Sequence, residues 1–470
     1  RAMAWLGEPL AEKEQRGATP FAPRCVKDQI EEGLFHRRRD LFSELALVFY
    51  DTTSIYFEGR GGETIGQYGH SKDHRPDLKQ LVLGLNVTGD GAVPISHRIY
   101  SGNQTDDRLH PANHKALQKL LQRADFIYVA DCKLATEENL HKISIWNGLF
   151  VSVMPRTWSE DGQFRESVRR GKIKWKHILS RRNNRKPESK LDRYYVAEGD
   201  YKTSQGYRLH WIRSTQKAEQ DAETRRRQIE RALQELRSIQ TKLNTYNLKR
   251  RKQIVQRVES ILKQTLCENL IKYEIHATRE YKRVYQKKGR PNKNTPSKIT
   301  WKEVYSISFG IDGDAVDQEQ QTDGVFPLIT NLAPESYPAK KVLEIYKFQP
   351  FLEKRHSQIK TYQEIAPVYL KNAERVVAFL HIHVMALTVA ALIERTLRRA
   401  MKKNKIPALP IYPEDRPCTS PTMFDIVWAA ITVGKTGVTD LFVDGAFSIA
   451  EMRYKTYMLF ANLRQKDNYL

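Results

Sequence analysis

Two apolar runs, Leu45-Ala-Leu-Val-Phe-Tyr50 and Phe126-Ile-Tyr-Val-Ala130, each lead directly into an aspartate, Asp51 and Asp131. Unbroken apolar runs of this length suit strands buried on both faces, and a carboxylate that follows such a strand is delivered to a sheet edge. Between them, Lys79 to Val87 passes through Gly89-Asp-Gly91 into Ala92 to Tyr100, which predicts two strands around a tight turn. Asp107 to Gln122 repeats Leu109, Ala112, Ala116, Leu117, Leu120 and Leu121 at helical spacing. A helix over Thr136–Ile145 and a strand over Leu149–Val153 follow. The predicted order is β-β-β-α-β-α-β, with the first three strands antiparallel, and the class is α/β.

Charge narrows the partners. The chain has 470 residues with 78 Lys+Arg against 55 Asp+Glu, a net +23, which leans toward polyanions. At 40% hydrophobic it can still bury a sizeable core, so neither a disordered tail nor a membrane protein fits. The four cysteines, Cys25, Cys132, Cys267 and Cys418, are scattered without a CxxC pair, which argues for a reduced cytosolic protein and against a disulfide scaffold or zinc knuckle.

The chain starts at Arg1, and residues 1–44 read as the remnant of an N-terminal region. Residues 45–155 form the first part of the sheet domain. Over 156–322 charge rises and apolar runs shorten, as in an insertion domain, with Arg165, Arg169, Arg170, Lys172, Lys174, Lys176, Arg181, Arg182, Arg185 and Lys186 clustered early. Within it, Gln216 to Lys272 holds no Gly or Pro and predicts a helical hairpin projecting into solvent. Lys287 to Lys293 reads as a polar loop and Val304–Ile311 as a strand. Core-like composition returns at Gly324–Thr330, so 323–400 is the second part of the sheet domain, with helices over Pro350–Lys360 and Ala373–Arg398. Val376 to Ile393 carries no formal charge for eighteen residues, near the lower bound for a membrane span; His381, His383 and the charges at both ends favour a buried core helix. Residues 401–470 are a Pro-rich linker and a C-terminal segment, Met423–Leu470.

Carboxylates at adjacent strand ends suit a hard cation, and Glu353 offers a third oxygen ligand, with Gln349, His356 and Lys360 on its helical face. Oxygen ligands without cysteine point to Mg²⁺ or Mn²⁺ rather than zinc. Taken singly, each aspartate is more often a turn or helix cap and Glu353 a solvated helix residue. Asp106, Asp107 and Asp323 also read first as caps or turns. His381 and His383, two apart on a helix, point to different faces, so packing is preferred to metal binding.

In combination, Tyr50-Asp-Thr-Thr-Ser54, Tyr68-Gly-His-Ser-Lys-Asp-His-Arg-Pro-Asp-Leu-Lys-Gln80, Val129-Ala-Asp-Cys132 and Tyr346 through Glu353 to Lys360 resemble the DDE transposases of bacterial insertion sequences. The specific likeness is to the insertion sequence four superfamily, with its Tyr-x2-Arg-x3-Glu-x6-Lys signature, over roughly residues 40 to 400. The resemblance implies a ribonuclease-H-like mixed sheet flanked by helices, interrupted by a large basic insertion, in a bacterial nucleoid-associated protein that performs cut-and-paste transposition. Asp51, Asp131 and Glu353 would then hold two Mg²⁺ or Mn²⁺ ions, while Tyr346 and Lys360 contact DNA phosphates. The implied partners are double-stranded DNA, as transposon ends and target, and a second copy in a synaptic dimer, with Met423–Leu470 a candidate contact. No membrane is implied.

Two positions depart from the signature. Gln349 stands where it has arginine, with Lys354 and Arg355 only partial substitutes, and Pro350 implies that the helix begins near Gln349 with Tyr346 ahead of it. Lys72, His74, Arg75 and Lys79 are expected near the active site, on phosphate, and Arg169, Arg170, Lys174, Arg181 and Arg182 along the DNA backbone. Gly289-Arg-Pro291 is weakly like a minor-groove hook, and Trp175, Trp211 and Trp301 are equal candidates for stacking an extruded base. Two alternatives stay open: a ribonuclease-H-like nuclease without strand transfer, and a non-catalytic DNA-binding protein from an inactive element.

Overall fold

The computed structural model describes residues 2–15, 23–37, 47–59, 61, 64–182, 191–245, 247–285, 297–409, 411, 416–423 and 425–426. The chain divides into two compact units, one from the described parts of 1–155, 200–210 and 328–470, the other from those of 156–199 and 211–327. The expected contact segment Met423–Leu470, the Gly289-Arg-Pro291 turn and the basic pair Arg185–Lys186 lie almost wholly outside the described residues.

The first unit opens with α1 (Ala2–Gly7) and α2 (Val26–Arg37) and continues β1 (Leu47–Tyr56), β2 (Gln80–Thr88), β3 (Pro94–Ser101), α3 (Asp106–Leu121), β4 (Ile127–Val129), α4 (Glu137–Ile145) and β5 (Leu149–Val153). This is the order expected from the apolar runs. The strands form a mixed sheet in the order β3-β2-β1-β4-β5. β1 is antiparallel to β2 and parallel to β4, while β4 and β5 are parallel, joined through α4. The sheet is buried through Val48, Phe49, Tyr50, Leu81, Leu83, Leu85, Tyr128 and Phe150. Burying a side chain of this size stabilises by roughly 1.5–3 kcal/mol. Gly84 is required where β2 crosses the Tyr50 ring, since a Cβ there would sit 2.6 Å from the Tyr50 hydroxyl.

One polar network crosses this core. Asn113 donates to the Tyr128 hydroxyl at 3.0 Å and exchanges hydrogen bonds with Asn86, and His110 Nδ1 lies 3.2 Å from that hydroxyl. Burial pushes His110 down to about 4, so it is neutral.

The second unit contains α5 (Ser159–Arg169), β6 (Trp175–Arg181) and β7 (Asp192–Ala197). β8 (Tyr201–Lys202) belongs to the first unit, and β9 (Arg208–Ser214) crosses between the two. Then come α6 (Thr215–Gln240), α7 (Arg251–Gln264), β10 (Ile271–Tyr285), β11 (Ser297–Ile311) and α8 (Gly313–Gln320), before β12 (Val325–Thr330) leads back. The helical hairpin is present, but it does not project into solvent as expected: Ile229, Ala232, Leu236 and Ile239 of α6 pack with Ile254, Val258, Ile261 and Leu262 of α7 and with Ile271 and Ile307 of the strands. It also ends earlier than Lys272. Leu266 takes a left-handed backbone (φ 57°), which stops α7 and turns the chain into β10.

Beyond β12, α9 (Ala339–Tyr346), α10 (Gln349–Ser357) and α11 (Ala373–Lys403) complete the first unit. Pro350 sits in the first turn of α10, where its missing N–H costs nothing, and Tyr346 ends the separate helix α9. The helix continues through a π-helical turn, Gln358–Tyr362, that carries Lys360. α11 is long and apolar enough to cross a membrane by length and composition. It nonetheless buries Glu394 and Arg395 among its apolar contacts, and Glu394 accepts from Arg355 at 2.8 Å in a fully buried pair.

Candidate active site

The aspartates meet through strand register. Asp51 lies inside β1 rather than after its end as expected, because β1 continues to Tyr56 on the support of β2 alone; its pairing with β4 stops at Phe49↔Val129. Asp131 follows two residues after the end of β4, as Asp51 follows two residues after Phe49, and the charge of Asp51 reaches it. Asp131 is anchored from both sides, its carbonyl accepting from Ser152 Oγ at 2.6 Å and its Oδ1 from the Lys133 amide at 3.0 Å.

The pair is electrostatically frustrated. Burial, then the charge of Asp51, raises Asp131 to about 6. Burial raises Asp51 too, against the Lys72 ammonium and the Thr52 amide. Two carboxylates that resist ionisation beside each other are what a cation relieves.

One cation is already present. The Lys72 ammonium stands 3.8 Å from Asp51 and 3.1 Å from Asp106, and it donates to the carbonyl and hydroxyl of Thr52, both at 2.8 Å. Thr52 in turn donates to Asp106 at 2.7 Å. Lys72 therefore has its three protons engaged inside an acidic cluster. Asp106, expected only as a cap, belongs to that cluster; burial opposes its ionisation, but Lys72 and the Thr52 hydroxyl hold it below the usual carboxylate range.

His356, one turn after Glu353, was named only as a neighbour on the helix face, yet its Nε2 lies 3.8 Å from Asp51 Oδ2. Its ring nitrogens are buried with no hydrogen-bond partner among the described residues. Burial, then Lys72 and Lys360, push it to about 3, so it stays neutral. No sequence signal distinguishes this histidine from a solvated one.

Glu353 is exposed on α10. Tyr346 links it to the aspartates: burial, then Asp131, Cys132, Glu353 and Asp51, all push its phenol upward, so the ring lies within electrostatic reach of the three carboxylates. The ligand atoms of those three do not all lie within 4.8 Å of one another. Among the described residues, the only group of three whose ligand atoms all lie within 4.8 Å is Glu31, His97 and His381.

The remaining expected contacts divide. Lys360 is paired with Asp73 at 2.6 Å, and Asp73 accepts from Ser54 on β1, so the lysine is held beside the site. Gln349 is only 7% exposed, so the amide in the arginine's place is turned away from solvent. Arg355 does not substitute for it, being held by Glu394 and by the carbonyls of Gly91 and Ala92. Arg75 is paired with Asp77 and lies over the Tyr56 ring, while Lys79 is half-buried.

In the second unit, Arg169 and Arg170 pair with Glu166, and Arg169 also with Glu319. Lys174, Arg181 and Arg182 are exposed at and beside β6. Arg165, counted in the basic cluster, is instead buried on Asp161 and on the carbonyls of Thr322 and Val325. Asp323 lies in the turn after α8, as expected, and its carboxylate forms a buried bidentate pair with Arg225. Of the tryptophans, Trp211 is buried and stacked on Phe164 at 3.9 Å, Trp175 packs edge-on to the same ring, and Trp301 is 67% exposed. Trp211 is thus a core residue and Trp301 the accessible one.

The sequence matches no protein-family model and no curated protein. Among solved structures, it aligns with a chain of the piggyBac transposase synaptic complex with hairpin DNA, at 12% identity and a TM-score of 0.23. The alignment covers 83% of this chain and 66% of that one, just under two thirds of its length.

Proposed function

We propose that the protein is a metal-dependent DNA transposase of the DDE type, built on a ribonuclease-H-like core and acting at the ends of its own insertion sequence. The observation that carries this reading is that Asp51 on β1 and Asp131, two residues beyond the end of the parallel strand β4, lie within electrostatic reach of each other, with Asp131 raised to about 6 by burial and by Asp51. The sheet order β3-β2-β1-β4-β5, in which β1 is antiparallel on one side and parallel on the other, supports the core assignment.

The donor set fits Mg²⁺ or Mn²⁺, since Asp51 and Asp131 offer oxygen ligands whose charges lack full compensation. A pair of such ions, when bound, activates an attacking water or 3′-hydroxyl and neutralises the leaving oxygen. The chain's own residues would do the rest. Glu353 would complete the carboxylate set from α10. Lys72 holds Thr52 and Asp106 in place and balances charge around Asp51. Tyr346 keeps its proton and can donate a hydrogen bond to a phosphate oxygen, and Lys360 adds positive charge at the rim. On the second unit, Lys174, Arg181 and Arg182 supply backbone contacts to double-stranded DNA, and the exposed Trp301, beside Tyr281 across the β10–β11 pair, offers a stacking surface. Assembly as a dimer on two DNA ends, in a bacterial nucleoid-associated setting, belongs to the same proposal.

One observation favours the alternative of a non-catalytic DNA-binding protein: the ligand oxygens of Asp51, Asp131 and Glu353 do not come within 4.8 Å of one another among the described residues. Cleavage and strand transfer of a duplex carrying paired element ends, measured with Mg²⁺ and Mn²⁺, decide between the two. Metal-dependent nicking that vanishes in Asp51→Asn supports the transposase. DNA binding without cleavage under either metal supports the alternative, and cleavage without joining a nuclease.

A further inference from the structure

A second constellation of ligating side chains lies outside the site described above. Glu31 on α2, His97 on the edge strand β3 and His381 on α11 each offer a ligand atom, and these atoms lie within 4.8 Å of one another. The residues are 9%, 0% and 3% exposed. His97 Nδ1 hydrogen-bonds Glu31, and the two imidazoles face each other with centroids 5.5 Å apart and planes 15° from parallel. The Nε2 of His97 and the Nδ1 of His381 are buried with no hydrogen-bond partner among the described residues. His110, His114, His210 and His356 also have unpaired buried nitrogens, so what singles out this cluster is the approach of three ligand atoms to within 4.8 Å.

We propose that Glu31, His97 and His381 form a binding site for a borderline divalent transition metal, Zn²⁺ by ligand type, that ties α2 and α11 to the edge of the sheet. This site is independent of the proposed DNA chemistry. Two imidazole nitrogens and one carboxylate oxygen select zinc over magnesium, the reverse of the oxygen set at Asp51. The protonation states suit it. Burial pushes His97 down and His381 to about 4, leaving neutral imidazoles with a lone pair to give. Burial opposes the charge on Glu31, but Lys27 and the hydrogen bond from His97 hold it below the usual carboxylate range, so it remains a carboxylate. Because His97 Nδ1 is hydrogen-bonded to Glu31, an ion held by both residues takes the place of the shared proton, and the ring's proton is then carried on Nε2.

Two features set what binding must overcome. Near-parallel rings aim their in-plane lone pairs past each other, so one imidazole has to turn for both to converge. Lys27 stands 3.5 Å from Glu31, but it is also 2.7 Å from Asp28 and 3.0 Å from the His97 carbonyl, which retain it when a dication takes its place beside Glu31.

The test uses the full chain carrying Asp51→Asn, Asp131→Asn and Glu353→Gln, which removes the other carboxylate set. After incubation with Zn²⁺ and passage over a chelating resin, mass spectrometry should find one equivalent of zinc, falling at least tenfold in His97→Gln and in His381→Gln. Lys27→Met should bind zinc several-fold more tightly, because the competing ammonium is gone. Diffraction at the zinc absorption edge should place one anomalous peak among the three side chains, which decides the matter even where a glutamine variant fails to fold. Absence of stoichiometric zinc in the parent, its full retention in both glutamine variants, or a peak elsewhere overturns the proposal.

Discussion

Two carboxylate sites of the first unit each carry a lysine, and they use it differently. At Asp51 and Asp131 two like charges face each other, and the lysine is turned largely to Thr52 and Asp106, leaving Asp131 raised to about 6. At Glu31 a single carboxylate is held below the usual carboxylate range, with burial outweighed by Lys27 and the hydrogen bond from His97. The first arrangement keeps a deficit of positive charge that an incoming cation can fill; the second is compensated in charge but leaves imidazole nitrogens unpaired. The contrast lies in the carboxylates, since unpaired imidazole nitrogens occur at both sites, on His356 beside Asp51 and on His97 and His381.

The largest effect tests whether the strained site works. Asp51→Asn, Asp131→Asn and Glu353→Gln should each lower metal-dependent DNA cleavage by on the order of a thousandfold, about 4 kcal/mol of barrier, with DNA affinity changed by no more than a few-fold. Gel assays of nicking and of binding, run on the same preparations, check both halves. Full activity in any one variant removes that residue from the catalytic set.

The Arg355–Glu394 pair gives a third case, in which charge and hydrogen bonds are both satisfied through Gln358, Arg398 and the Met423 amide. Cutting one partner there should cost the most stability. Glu394→Gln is expected to destabilise by roughly 3–5 kcal/mol, because it strands a buried guanidinium. Urea unfolding measures it, and a loss below about 1 kcal/mol would show that water reaches the pair.

Stability should move the other way at the strained site. An aspartate raised from the ordinary 3.8 to about 6 favours the fold while protonated, and this contribution is lost as pH climbs from about 3.8 to about 6. That gap corresponds to roughly 3 kcal/mol, reduced to about half by solvent at a carboxyl that is not fully buried. Asp131→Asn should therefore raise the melting temperature at pH 7 and have little effect at pH 3. Mg²⁺ should stabilise the parent more than the variant. Equal melting shifts at both pH values would mean that the carboxylates do not repel.

The sheet was legible because its strands are apolar on both faces: β1, β2, β4 and β5 read directly from runs such as Phe126–Ala130. The β10–β11 pair was not. Its fifteen-residue strands expose Tyr281, Val284, Ile299 and Trp301, so apolar and charged residues fall on both faces without a buried period, and only Val304–Ile311, nearest the α6–α7 core, was seen. The aspartates were legible since each follows an apolar run, whereas Asp106 and His356 join them only through the fold. Glu31 and His97 are 66 residues apart, with no local pattern to connect them.

The smallest predicted effect separates two roles for Lys72. If it serves as a counter-charge within the acidic cluster, Lys72→Met removes a cation beside Asp51 and should strengthen Mg²⁺ binding by a few-fold, while the salt dependence of DNA binding stays unchanged. If it leaves Thr52 to grip a phosphate, the slope of log affinity against log salt should fall by about 1 instead. Titrating duplex DNA at several salt concentrations, with and without Mg²⁺, gives both readings from one preparation. A slope that falls would mean that Lys72 exchanges Asp106 for DNA on binding, which would expose Asp51 to its neighbour's charge at the moment a metal is needed and so couple metal affinity to DNA occupancy.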